Sequence, residues 1–86
     1  MKLTGHKNAQ AEVYISNVRD ALWSYNTHVM SVYPDGWVVC FGLYSATTRR
    51  HISWFLKEFY PMITYAQVKA MVEGNYEYNY LTGEIR

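Results

Sequence analysis

At 86 residues the chain has room for one hydrophobic core, and with half its residues apolar it fills that core without disulfides or a metal. A net charge of +1 excludes a global field that would gather nucleic acid or acidic membrane, so any electrostatic role has to come from local clustering. The single Cys40 excludes an internal disulfide and a cysteine zinc cluster, and it fits a reducing cytosol.

Nine tyrosines and three tryptophans are more than a core of this size easily holds, which leaves some for the outside, where such residues favour partner contacts. Met1–Gln10 is polar and lacks the apolar centre of a secretory signal. Met1–Ala9 reads as a mobile arm on a single domain spanning 1–86. The longest apolar run, Trp37–Leu43, is too short to cross a bilayer, so the expectation is a soluble, cytoplasmic protein in whatever cell makes it.

Glu12–Ile15 favours a short strand through Val13, Tyr14 and Ile15. Ala21–Tyr33 reads as one longer strand, with Trp23, Tyr25, Thr27, Val29, Ser31 and Tyr33 on one face and Leu22, Ser24, Asn26, His28, Met30 and Val32 on the other. Pro34-Asp35-Gly36 marks a turn, and Asp-Gly is a preferred two-residue hairpin loop. Trp37–Tyr44 returns as the next strand. With that loop, Val32 faces Val39, Met30 faces Phe41 and His28 faces Leu43, so Trp37, Val39, Phe41 and Leu43 meet the core together with Met30 and Val32.

A helix follows from Thr47 or Thr48 to just before Pro61, with Ser45, Thr47 and Thr48 available as caps. Its apolar stripe is Ile52, Phe55, Leu56 and Phe59, and Trp54 falls on the opposite side. Thr64-Tyr65-Ala66-Gln67 matches a capping box opening a second helix that buries Tyr65, Val68 and Val72 and stops at Gly74. Tyr76, Tyr78 and Tyr80 alternate with strand period, and Thr82-Gly83 turns the tail back. The order β-β-β-α-α-β predicts an α+β domain, a small antiparallel sheet with two helices packed on one face.

Ser24-Tyr25-Asn26-Thr27, followed by a hairpin and by Tyr44-Ser45-x-Thr47-Thr48-x-x-His51-Ile52, resembles an uncharacterised family of small bacteriophage proteins over the middle third of the chain. The resemblance implies phage origin and expression inside a bacterium, and it brings no activity with it.

Three groups of residues are candidates for function. The hairpin gathers Ser24, Asn26, Thr27, Thr47, Thr48, Arg49 and His51 at one rim. Cations in the first turn of a helix oppose its dipole, at a cost of about 0.3–1 kcal/mol each, which suits an anionic guest; the alternative is plain capping and turn structure. Arg50, Trp54 and Lys57 share one helical stripe with the composition of an interface hot spot, unless Trp54 packs inward. Tyr76, Tyr78 and Tyr80 suit core packing, a homodimer edge or base stacking.

No HxxxH, CxxC or paired-carboxylate spacing is present, so the expectation is no enzyme, no metal and no cofactor. The leading reading is a binding protein that docks on a host or phage protein, in particular as an inhibitor of bacterial defence. The alternatives are a nucleic-acid-binding module and a pocket for a small anion such as a nucleotide.

Overall fold

Alternation of apolar and polar residues builds most of this molecule from hairpins laid side by side. The computed structural model describes residues 2–3, 11–25, 27–43 and 45–86. Among them the strands are β1 (Lys2–Leu3), β2 (Ala11–Ile15), β3 (Asp20–Ser24), β4 (Thr27–Val32), β5 (Trp37–Cys40) and β6 (Tyr78–Asn79). They form one antiparallel sheet in sequence order, with helices α1 (Ala46–Phe59) and α2 (Tyr65–Gly74) inserted between β5 and β6. The fold is α+β.

Both helices cover the same face. Val13, Leu22, Met30, Val32 and Val38 project from the sheet against Ile52, Phe55 and Leu56 of α1, Ile63 of the connection, and Val68 and Met71 of α2. Full burial of each such aliphatic or aromatic side chain contributes about 1.5–3 kcal/mol, which is what holds α1 down. Ser45, one of the three expected caps, closes α1 through its side-chain oxygen, accepting from the Thr48 amide at 3.2 Å, and the helix begins at Ala46, just ahead of the expected start at Thr47 or Thr48. Thr64 and Gln67 form the predicted capping box on α2. That helix ends where Asn75 turns left-handed at φ 57°.

Three expectations are corrected. The span Ala21–Tyr33 is two strands, because the chain reverses at Tyr25, whose φ of 51° breaks the extended run, and Ser24 pairs with Thr27 across the turn. The polar residues Ser24 and Thr27 are therefore strand ends flanking a tight turn.

The β4–β5 loop has three residues, and the pairing slips by one. Met30 pairs with Cys40, Ser31 with Val39 and Val32 with Val38. The Tyr33 amide donates to the Trp37 carbonyl and the Gly36 amide to the Tyr33 carbonyl, which encloses Pro34, Asp35 and Gly36. Pro34, with its fixed negative φ, suits the first corner of an ordinary turn and cannot donate to a ladder, while Gly36 takes the left-handed position at φ 102°. A one-residue slip exchanges the faces. Val38 enters the core, Trp37 and Val39 turn to the far side, and Phe41 is 55% exposed. The strand also stops at Cys40 rather than continuing toward Tyr44, which lies outside the described residues.

The third correction is a bulge. Leu22 pairs with Met30 but Trp23 pairs with His28, so Val29 is an extra residue on β4. Val29 is fully buried beside Met30, and His28 moves to the face away from the helices.

Candidate functional site

The predicted polar rim does assemble, but inside the molecule. Ser24 ends β3 on its helix side, where its Oγ lies 2.7 Å from His51 Nδ1 and 3.3 Å from Thr48 Oγ1 of α1. Thr48 Oγ1 is also 3.3 Å from the capping Ser45 Oγ. Ser24 is 2% exposed and His51 0%, and the ring of Tyr25 lies 5.8 Å from the imidazole. Folding of α1 onto β3 makes these contacts, not the register of the β4–β5 hairpin. A serine hydroxyl against an imidazole is the pairing used for nucleophilic catalysis. Here burial denies a substrate any approach, and the group acts as a hydrogen-bonded polar plug between helix and sheet.

The other members of that predicted group do not join it. Arg49 and Thr27 are exposed, Thr47 is half-buried, and Asn26 lies outside the described residues. Of the predicted helical stripe, Arg50 and Lys57 are exposed, while Trp54 is half-buried against the core with its ring edge-on to Phe59 at 6.0 Å. Tyr76, Tyr78 and Tyr80 all pack against the core. Tyr78 OH accepts from Gln67 Nε2 of α2 at 3.1 Å, and Tyr80 meets Tyr60 edge-on at 5.8 Å. Tyr60 in turn donates to Asp20 Oδ2 at 2.5 Å; burial and then this bond raise its hydroxyl pKa far above the usual value. These rings tie helices to sheet and leave no stacking ladder.

The feature absent from the sequence reading is the sheet's other face. Because Leu22 and Ser24 point at α1, Trp23 points away, and Tyr14, out of phase with Val13, does the same. With His28 delivered by the bulge, a row of rings crosses the sheet. Tyr14 meets Trp23 edge-on at 6.0 Å, Trp23 stacks on His28 at 5.1 Å, and His28 meets Phe41 at 4.8 Å. Among the described residues, no helix lies over them. Alternation alone marks Tyr14 and Trp23 as outward; nothing in the sequence marks the bulge that adds His28.

A groove of about 360 Å³ opens beside this row, lined by Tyr14, Ser16, Val18, Arg19, Ala21 and Trp23. Its rim is the β2–β3 turn. Ser16 Oγ accepts from the amides of Val18 and Arg19 and donates to the Arg19 carbonyl at 2.8 Å, which fixes the turn and sets Arg19 at the groove's edge. Ala21 makes a small floor between the larger Tyr14 and Trp23.

His28 is the titratable member of the row. Burial, then the Arg19 guanidinium, lower its pKa below 6.5, against a backbone hydrogen bond with Met30 that raises it. Its Nε2 lies 2.7 Å from Ser31 Oγ. A lowered pKa means that the unfolded chain binds more protons than the folded one below pH 6.5, so stability falls as pH drops from that value toward the folded pKa. We expect the parent protein to lose more urea resistance between pH 7.5 and pH 5.5 than His28→Gln, which keeps a hydrogen-bonding partner for Ser31. Equal losses would show that His28 binds protons alike in the folded and unfolded chain, with no shift between them.

Elsewhere, Cys40 is half-buried, its thiol pKa raised by burial, with Sγ 3.6 Å from the Gly42 carbonyl; it is not poised as a nucleophile. No group of three metal-ligating side chains and no helix long and apolar enough to cross a membrane occurs among the described residues.

No curated protein and no solved structure matches the chain. Residues 1–72, which carry the aromatic row, the groove and the buried Ser24–Thr48–His51 group, match a family of unknown function, DUF8033, and the chain belongs to that family.

Proposed function

We propose that the protein is a binding module that docks a partner protein on the uncovered face of its sheet. The observation that carries this reading is the groove between Tyr14 and Trp23, open to solvent, with an arginine at its edge and a ring row extending from it. Tryptophan, tyrosine and arginine around a desolvated pocket are the residues that dominate binding energy at protein interfaces. An apolar side chain of the partner would fill the groove over Ala21, with a carboxylate alongside for Arg19.

The ring geometry favours a protein over stacked bases on this face. His28 already occupies one face of the Trp23 indole, nearly parallel at 10°, so the row offers a finished apolar surface rather than open rings. Among the described side chains, the cations beside it are Arg19 at the rim and Arg86, which sits 4.0 Å above Trp37 and pairs with Glu77 at 2.7 Å. The resemblance to small bacteriophage proteins supports seeking the partner in an infected bacterium, where a component of host defence is the leading candidate target.

The test is affinity capture from infected and uninfected cells, repeated with Trp23→Ala and Arg19→Glu, followed by affinity measurement with the purified partner. Loss of a hot-spot side chain costs about 2 kcal/mol or more, so each variant should weaken binding roughly 30-fold while retaining the fold. A partner held equally well by both variants would remove this face from the reading. Sedimentation of the protein alone supplies the other decisive outcome: a dimer dissolved by Trp23→Ala would assign the face to a second copy.

A further inference from the structure

Four of the chain's eight lysines and arginines lie away from that face, on the helices. Residues 45–74, the two helices and their connection, hold Arg49, Arg50, Lys57 and Lys69 against two acids, Glu58 and Glu73, a local excess of two in a protein of net charge +1. All four cations are exposed, and among the described residues none is in an ion pair. They collect along the groove between α1 and α2. One end of it, about 510 Å³, is lined by Arg49, Arg50, Ser53, Tyr65 and Lys69. The adjoining end, about 250 Å³, shares Ser53 and Tyr65 and adds Lys57 over an apolar floor of Leu56, Pro61 and Ile63. Neither end includes a carboxylate.

We propose that this groove binds the phosphate backbone of a single-stranded nucleic acid. The anion that first-turn cations on α1 call for is thereby placed on the helix flank, since the helix start itself is closed by Ser45 and the buried Thr48 and His51. Arg50 and Lys57 are seven residues apart on α1, so their Cα atoms are separated by about 10 Å of helix rise, more than one phosphate covers. Arg49 and Arg50 offer planar donor forks to phosphate oxygens, and Lys69 and Lys57 add point charges. Ser53 and the Tyr65 hydroxyl supply neutral donors between them. The floor of Leu56, Pro61, Ile63 and the Tyr65 ring gives a flipped-out base an apolar shelf.

The site is separate from the sheet face, and the two readings fail separately. A fluorescently labelled single-stranded oligonucleotide is titrated with the full chain at low salt, and the affinity is followed as salt rises. Contact with three or four phosphates predicts a log–log slope of about −2 to −3. The double variant Arg50→Glu, Lys69→Glu should weaken binding at least tenfold and flatten the slope, with Arg50→Gln, Lys69→Gln as the milder pair if reversal impairs folding. Trp23→Ala should leave binding unchanged. No binding at low salt, or binding indifferent to both pairs of substitutions, overturns the proposal. So does equal binding of poly-glutamate, which would mark the groove as a seat for acidic protein. A nucleoside monophosphate matching the oligonucleotide in affinity would overturn it as well, in favour of a mononucleotide pocket.

Discussion

Gly36→Ala should lower the melting temperature by roughly 12–24 °C. Two independent costs meet at this residue. Its φ of 102° lies in a region that a Cβ disfavours by about 1–2 kcal/mol. The added carbon would also stand 2.4 Å from Asn79 Oδ1 and 2.9 Å from Leu81 Cγ, an overlap that well-packed interiors relieve only at about 1–3 kcal/mol. Together these come to about 3 kcal/mol, and in a domain of this size each kcal/mol moves the melting point by about 4–8 °C.

The neighbours are not free to yield. Asn79 is buried, its Oδ1 accepts from the amides of Leu81 and Thr82, and its Nδ2 donates to the Asp35 carbonyl at 3.1 Å. The Tyr80 amide donates to the Gly36 carbonyl at 3.0 Å. Pushing Asn79 aside therefore detaches the tail from the β4–β5 turn. Gly83→Ala is the control. Gly83 has a φ of 80° with open space where its Cβ would go, so it carries the backbone cost alone, about 1 kcal/mol. Equal shifts for the two variants would refute the packing argument and leave only the dihedral.

His51→Ala should cost about 3 kcal/mol in urea unfolding, the second large effect. The substitution empties a fully buried ring site and strips Ser24 of its 2.7 Å imidazole partner, leaving it the longer contact with Thr48 at 3.3 Å. Cavity formation alone costs about 2–5 kcal/mol for large buried side chains, and a stranded buried hydroxyl adds about 1–3 kcal/mol where the site cannot collapse or admit water. His51→Phe separates the two contributions by restoring volume without polarity. A loss below about 1 kcal/mol for His51→Ala would mean that water enters the site, and would reopen the question of substrate access to Ser24.

Much of the architecture is legible in local pattern. The apolar spacing of Ile52, Phe55 and Leu56, the Thr64–Gln67 box and the turn residues Pro34-Asp35-Gly36 each specify their element with little help from the rest of the fold. What escapes local pattern is decided by single-residue events. Pro34 makes a three-residue loop out of an Asp-Gly signal and thereby exchanges the faces of β5. The reversal at Tyr25 uses a tyrosine in a left-handed conformation, which no propensity favours. The bulge at Val29 changes which side His28 occupies, and its cause is tertiary: a second valine can be buried there beneath the helices. The hydroxyl-rich segments were identifiable as neighbours, but whether neighbours form a surface or a plug depends on how deeply α1 seats. That depth is set by Phe55 and Ile52, residues that carry no functional signal.

The two surfaces divide the chemistry of the chain. Cations gather along the helices and uncovered rings on the opposite side of the sheet, with the core between them. A protein partner and a polyanion would therefore not compete for space, and the substitutions that disable one leave the other's contacts in place.

The tail adds a restriction of its own. Glu77 and Arg86 exchange backbone hydrogen bonds at 2.9 and 3.0 Å, the Asn79 amide donates to the Glu84 carbonyl at 2.8 Å, and Tyr78 bridges Ile85. The last strand is thus hemmed by its own chain and offers no long unpaired margin on which a neighbour's strand could extend the ladder. Growth into fibres by lateral accretion is blocked on that flank.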